Sequence, residues 1–501
     1  IIRFEDFIDS EKINEILAEL NFEKIDQIPE LNSILVKIPD IAVERAIDLS
    51  EEIQGIRYAE PNQKVQTLNA YNYNGFEDSL SIPDDPYYYE QWHYPLIRLP
   101  QAWASYNSSS SEPIRIAVLD TGIDGDHEDL ENHIDENDGI NVINHEDDSN
   151  SNDFYDDNGH GTHVAGTIGA INNNDTGVSG ILQNIEIIPI KALDSKGNGF
   201  ISDIVKGISY AAGLADSSIS EKVDIINMSF GINSSSSSLE DVLEKAYQNN
   251  VILVSASGND GNDLLYPAAY PEVISVGSVS LNSNNTPERS DFSNYGSESS
   301  PELDFVAPGD NLLSSSPDDN YGTRTGTSMA APHVAGLIGL MFSQEPELTD
   351  QEIRERLART GMKINDDNSY HDDETGYGLI NAYWALNDVQ EIKVLLGKEG
   401  ILKNDNNSTQ IDKNKIITEK TIPLEEFYDL EEYNFDFIFN GIEPGNYRLI
   451  GLIDVNNNSS NDDYIIIEPG DYFSTEILLE FQPDEHYEFK IELQEYEGNL
   501  N

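Results

Sequence analysis

Strand–helix alternation through the middle of this 501-residue chain predicts an α/β fold built on a mainly parallel sheet covered on both faces. A small α+β unit precedes it and a β-sandwich follows. Three observations carry this prediction. Between 84 and 388, apolar runs at 114–119, 186–192, 223–230, 251–256 and 273–276 alternate with stretches of helical period at 161–170, 201–214, 239–248, 328–342 and 349–360. Those runs are apolar throughout rather than at every second residue, as strands buried on both faces require. From 391 to 501 helical period is lost, and short β runs at 435–439, 447–453 and 464–467 are separated by Asn- and Asp-rich turns.

The first 68 residues read as strand (1–4), helix (11–20), strand (33–38), helix (43–53) and strand (55–66), with room for one more strand. The first helix is signalled by Ile13, Ile16, Leu17 and Leu20 on one face. Residues 69–83 are polar and contain Gly and Pro, as a linker does. The serine runs at 108–111 and 234–238 read as solvated loops.

Charge narrows the function. The chain carries 93 Asp and Glu against 28 Lys and Arg, a net charge of -65. The excess is spread as -8 over 1–70, -40 over 71–390 and -17 over 391–501, so it is no acidic tail. An isoelectric point near 4.1 excludes a general nucleic-acid binder or a binder of anionic membranes, since both need basic surface. With no cysteine there are no disulfides, thiolate metal sites or cysteine nucleophiles. No apolar run approaches the ~18 residues of a membrane span. The distributed charge repels itself at low ionic strength and is relieved by salt, which predicts adaptation to a saline environment. The alternative is an acidic exoprotein whose carboxylates hold calcium. The chain starts at Ile1 without a basic-then-apolar leader, so a signal segment is expected upstream.

Three polar clusters fall where a parallel sheet places functional loops, at the carboxyl ends of its strands. Asp120 ends the strand Ile116-Ala-Val-Leu-Asp120-Thr-Gly. His160 starts a helix in Asn158-Gly-His160-Gly-Thr-His163-Val-Ala-Gly, and Ser328 starts another in Thr325-Gly-Thr-Ser328-Met-Ala-Ala-Pro332-His. A serine hydroxyl needs a general base, a neutral imidazole supplies one, and a buried carboxylate fixes the imidazole's tautomer and stabilises its cation. Singly, each piece has an ordinary reading: a strand-end cap, a tight turn, an N-cap.

Together, in the order Asp, His, Ser, these strings resemble the subtilisin-like serine proteases over about residues 84–386, and the thermitase-like branch through Asp85-Pro-Tyr and Pro100-Gln-Ala-Trp103. The resemblance implies a subtilisin-like three-layer sandwich at 84–388. Asp120 then orients, His160 is base and acid, and Ser328 is the nucleophile, with His163 and His333 structural. It puts the oxyanion-stabilising amide on Asn259 of Ser255-Ala-Ser-Gly-Asn259, and the substrate cleft on Ser229, Phe230, Gly231, Ser257 and Gly258. With no acidic residue in those cleft segments, a large apolar or aromatic P1 side chain is expected.

Further implications concern calcium and the flanking units. The segment 169–178 resembles the family's Ca²⁺ loop, with Asp85 and Asp129 as carboxylates, the Asn174 side chain, and the carbonyls of Ile171, Thr176 and Val178. The acidic stretch 146–157 is a candidate for a second ion. Asp454, Asn456 and Asn458 open an EF-hand-like loop, but Ser459 stands where glycine is usual and no Glu closes it; an Asn-rich hairpin turn is the other reading. Residues 1–68, through Ile34-Leu-Val-Lys37 and Gly55-Ile-Arg-Tyr58-Ala-Glu60-Pro-Asn62, resemble the inhibitory propeptide, with 69–83 as the processing region. The chain is then a secreted, monomeric zymogen of a serine endopeptidase, acting on protein and peptide substrates, its own propeptide the inhibitor. The 391–501 unit loosely resembles β-sandwich extensions of exported bacterial proteases. A surface protein permanently capped by 1–68, or a narrow maturation protease, are the competing readings.

Overall fold

The computed structural model describes residues 82–389 except 107–109, 111, 144–152, 215–218, 298–300 and 365–369. In the first 81 residues it describes 2–4, 8, 10–28, 33–38, 46, 49–50, 53 and 55–59, and beyond 390 the backbone of separate strands. Two compact units result, Ile1–Tyr71 and Asn72–Asn501.

The first unit is a four-stranded antiparallel sheet with a helix. Strands β1 (Ile2–Phe4), β2 (Glu23–Ile28), β3 (Ser33–Lys37) and β4 (Ile56–Ala59) lie in the order β2-β3-β1-β4, and helix α1 (Ser10–Leu20) connects β1 to β2. The allowance for one more strand is taken up by β2, whose EKIDQI sequence is too charged to read as a strand from its pattern alone. Ile13, Ile16 and Leu17 of α1 bury against Ile2, Phe4 and Ile34, the face the periodicity indicates. Most of the expected 43–53 helix, and the linker up to 81, lie outside the described residues.

In the second unit, strands β5 (Ile114–Asp120), β6 (Ile140–Asn141), β7 (Ile185–Lys191), β8 (Ile225–Met228), β9 (Ile252–Ala256), β10 (Val273–Leu281), β11 (Pro287–Arg289) and β12 (Phe305–Pro308) form one sheet. Its order is β11-β10-β9-β8-β5-β7-β6 with β12 on β10, and only the β10–β11 pair is antiparallel. Strand β5 is buried along its whole length, and alternation divides it: Ile116 and Val118 face one core, Ala117 and Leu119 the other.

After two short helices, α2 (His93–Leu96) and α3 (Leu99–Ser105), come α4 (His160–Gly169), α5 (Ile201–Ala211), α6 (Ser237–Gln248), α7 (Thr327–Gln344), α8 (Asp350–Thr360) and α9 (Ala382–Leu386). Helices α4 and α7 supply Val164, Ile168, Val334 and Leu337 to the first core, while α5 and α6 supply Ile204, Ile208, Leu239 and Leu243 to the second. That is the three-layer arrangement expected. An antiparallel hairpin, β13 (Leu312–Ser316) and β14 (Asn320–Arg324), leads into α7. Beyond 390, strands such as Glu391–Lys398, Ile416–Pro423 and Gly445–Ile453 pair antiparallel.

At the amino end of β5 the guanidinium of Arg115 meets three carboxylates: Asp138 at 2.5 Å, Asp135 at 3.3 Å and Glu186. Its side chain is only 11% exposed. Arg115→Met would leave these acids facing each other, partly buried, without a cation. We expect a loss of about 3–5 kcal/mol of unfolding free energy, read by urea titration. A loss under about 1 kcal/mol would mean the group behaves as a surface pair.

Candidate active site

Three loops at the carboxyl ends of β5, β8 and β9 meet the amino ends of α4 and α7. Asp120, the last residue of β5, is fully buried, and its Oδ1 accepts from the Thr121 N–H at 2.7 Å. The same oxygen lies 2.8 Å from His160 Nδ1, which fixes the ring with Nε2 toward the cleft. Close packing of α4 on the strand end depends on glycine: a Cβ on Gly161 would stand 2.1 Å from the Gly122 carbonyl. Gly122 itself has φ +104° and lies under the Phe154 carbonyl. Burial opposes the charged form of His160, but the Asp120 charge and hydrogen bond outweigh it and its proton affinity ends raised; Arg324 pulls it down and Asp156 up.

Ser328 is the second residue of α7. Pro332, four residues on, has no N–H to offer the Ser328 carbonyl, and the Ser229 hydroxyl donates to it instead at 2.9 Å. The Ser328 hydroxyl donates in return to the Ser229 carbonyl, 2.9 Å away. This reciprocal pair ties the nucleophile candidate to the segment after β8, and Asn227 Nδ2 steadies the Ser229 hydroxyl at 2.9 Å. No Ser328–His160 hydrogen bond occurs among the described residues, so transfer of its proton to His160 needs a rotation about the Ser328 χ1.

Asn259 follows β9. Its Oδ1 accepts from Thr327 N at 2.8 Å and Thr327 Oγ1 at 3.0 Å, which orients the amide and leaves Nδ2 for a ligand beside the α7 amino terminus. Gly258 N donates to Thr327 Oγ1 at 3.1 Å. Gly231 packs against Leu265, and Ile232 exchanges backbone bonds with Tyr266. Asp120 and His160 are thus joined, and Ser229, Gly258, Asn259 and Ser328 are knitted together. His163 and His333 face away from this chemistry: His163 Nε2 donates to the carbonyls of Leu312 and Gly322, and His333 Nδ1 to that of Met329.

The subtilase family profile matches residues 111–378, more than half of the chain. The chain belongs to the subtilase family. Residues 1–62 of this subtilase match the profile of the fervidolysin N-terminal prodomain. It is 33% identical to the minor extracellular protease Epr of Bacillus subtilis over 75% of this chain and 54% of that protein. It is 41% identical to the major intracellular serine protease of Bacillus subtilis over 54% of this chain and 82% of that one. Against Epr, the match therefore spans about half the relative's length. Among solved structures, proteases from Pseudoalteromonas arctica superpose with TM-score 0.53 at 33% identity, covering 61% of this chain and 99% of theirs.

At the loop read as a calcium site, Asp85 and Asp129 are both buried. Asp85 accepts from Asn174 N at 3.2 Å and Ser179 Oγ at 2.6 Å, and Asp129 from Asn174 Nδ2 at 2.9 Å and Val178 N at 2.9 Å. Asn174 therefore presents its nitrogen to Asp129, and its Oδ1 accepts from Thr176 N. No cluster of three or more His, Asp or Glu suited to a metal occurs among the described residues. The donor chemistry still fits a hard cation: burial, together with the neighbouring Asp85 and Glu128 charges, pushes Asp129 up to about 7 against the hydrogen bonds that favour its anion. The loop at 454–458 and most of 146–157 lie outside the described residues.

Two residues at this site were not anticipated. Asp156, 1% exposed, sits behind His160, and its signal is the Asp156-Asp157-Asn158 run directly before the α4 start, where a capping carboxylate is favoured. Arg324 donates to the Asn158 carbonyl at 3.0 Å, beside Gly159. Nothing in its sequence setting separates it from a surface arginine.

Proposed function

We propose that the chain is the zymogen of a secreted serine endopeptidase. The observation that carries this is the buried Asp120 holding His160 Nδ1 at 2.8 Å, with Ser328 at a helix amino terminus beside an oriented Asn259 amide. Ser328 Oγ attacks the substrate carbonyl and its proton passes to His160. The acyl-enzyme forms as His160 returns that proton to the leaving amine, and water then releases the acid by the same route. Asn259 Nδ2 and the Ser328 N–H stabilise the oxyanion. Ser229–Gly231 and Ser257–Gly258 take the substrate as an added strand, with apolar or aromatic P1.

The prodomain match over 1–62 supports an intramolecular inhibitor at 1–68; in this reading 69–83 is the processing region, 84–388 the catalytic domain and 391–501 a further β domain. Incubating the purified chain with Ca²⁺ should move the N-terminus into 69–83 and release activity on an aromatic-P1 peptide. A chain that stays intact and inactive overturns the zymogen reading. Secretion is supported by the likeness to an extracellular protease, and culture fractionation tests it, since an intracellular relative also matches.

Calcium would be held by Asp85, Asp129, the Asn174 side chain and the carbonyls of Ile171, Thr176 and Val178, and it would bridge the loop to the segment at Asp85. Saturating Ca²⁺ at about 100 times Kd should add about 2.7 kcal/mol of stability. Chelation should remove it, seen as a fall in Tm, and an unchanged Tm argues against the site. The net charge of -65 supports adaptation to salt, which predicts a Tm that rises with NaCl.

A further inference from the structure

The geometry points to Asp156 as a positioning residue that locks His160 at the head of α4 and stabilises the imidazolium formed during the reaction. The inference rests on His160 being the base of the proposed peptidase. Five donors converge on this one buried carboxylate. Its Oδ1 accepts from Thr121 Oγ1 at 2.8 Å, Gly159 N at 2.8 Å and Asn158 N at 3.0 Å. Its Oδ2 accepts from Thr162 Oγ1 at 2.7 Å and Thr162 N at 2.9 Å. Thr121 Oγ1 in turn accepts from Gly161 N at 3.0 Å, and Thr162 Oγ1 from Asp124 N at 3.0 Å.

The first N–H groups of a helix lack partners within it. Here Asp156 satisfies that of Thr162 directly and that of Gly161 through Thr121, the two residues that follow His160. The carboxylate thereby binds three pieces into one body: the loop after β5 that carries Asp120, the turn at 158–159, and the first turn of α4. The distance between Asp120 and the imidazole is held from both ends. A negative charge at this place also interacts favourably with the amino end of α4.

Several charged or titratable groups surround His160. Asp120 comes from β5, Asp156 from the segment before α4, Arg324 from β14, and His163 lies on α4 itself. Lys191, from β7, stands behind them with Nζ on the carbonyls of Thr121 and Tyr155 and on Asp157. Asp120 touches the ring. Asp156 makes no hydrogen bond to it and acts through the first turn and through its charge.

The test is Asp156→Asn in the full chain, assayed after processing. An amide offers one acceptor oxygen to five donors, so the variant loses the charge and several bonds together. The expected result is a kcat about ten-fold lower and an acid limb of kcat/KM shifted down by about half a pH unit or more. Thr121→Val keeps the charge and removes the bridge to Gly161, so it should lower kcat with the limb unmoved. An Asp156→Asn limb that coincides with wild type overturns the electrostatic part and leaves a structural carboxylate. If Asp156→Asn does not fold, Thr121→Val decides, and an unchanged kcat overturns the positioning role. A wild-type chain that cleaves no peptide would instead sink the peptidase reading, whatever Asp156 does.

Discussion

Ser328→Ala should lower kcat by on the order of 10⁶-fold while leaving the fold in place. The methyl group fits where the hydroxyl was, and the bond lost is the one Ser328 Oγ donates to the Ser229 carbonyl. The return bond, from the Ser229 hydroxyl to the carbonyl freed by Pro332, does not involve the Ser328 side chain, so α7 keeps its anchor. What disappears is the atom that forms the acyl bond. The Asn259 amide and the α7 N–H groups remain, and they support a residual acceleration of roughly 10³–10⁴ over water. KM should change little, because the strand-like contacts that hold substrate are untouched. The measurement is kcat and KM on an aromatic-P1 peptide with enzyme concentration fixed by absorbance, since the variant cannot be titrated at its nucleophile. The variant cannot process itself and should keep residues 1–68 attached, so kcat and KM are read after an added protease of another class has cut within 69–83 and the released segment has been removed. A loss of less than ten-fold would mean that another group is the nucleophile.

Two parts of this site that could be read from sequence share one property: they are polar residues standing where an apolar run ends. Asp120 after Ile116–Leu119, and Asn259 after the run ending at Ala256, are of this kind. Both carboxyl ends lie on one edge of a parallel sheet, so their convergence follows from topology. The strands that escaped notice are short or polar. Phe305–Pro308 is four residues long, and half of the residues in the hairpin strands Leu312–Ser316 and Asn320–Arg324 are Ser, Asn or Thr. Its turn is made by Asp318 and Asp319 at φ +62° and +53°, which local composition does not announce. Arg324 owes its place beside His160 to that hairpin alone. The expectation of calcium at 169–178 rests on a resemblance carried by oxygen-bearing residues, whereas the orientation of Asn174 toward Asp129 depends on hydrogen bonding that no spacing encodes.

Acid should destabilise the second unit by about 4 kcal/mol between pH 8 and pH 5 through His163 and His333 alone, about 2 kcal/mol each, with His93 adding in the same direction. His333 is fully buried, and desolvation pulls it down to about 4. His163, pulled down to about 3 chiefly by the same cause, is 1% exposed. His93, its ring 5.0 Å from that of His333, is depressed by burial and then by its two histidine neighbours. Among the described residues, His93 Nδ1, His163 Nδ1 and His333 Nε2 have no hydrogen-bond partner, so a second proton on any of these rings would find no acceptor. In the unfolded chain each titrates near 6.5. Below that value the unfolded state binds protons that the folded state refuses, so their stabilisation is present above pH 6.5 and is lost as pH falls toward 4. His160 works in the opposite sense, because its folded affinity is raised and its contribution grows on acidification. Comparing Ser328→Ala with the double variant Ser328→Ala/His333→Gln removes that contribution and most of the carboxylate titration, which are common to both. Urea unfolding at pH 8 and pH 5 should show the double variant losing about 2 kcal/mol less than its parent. Equal losses would mean that His333 accepts a proton inside the folded core, and the acid sensitivity would then have to come from His93, His163 or the carboxylates.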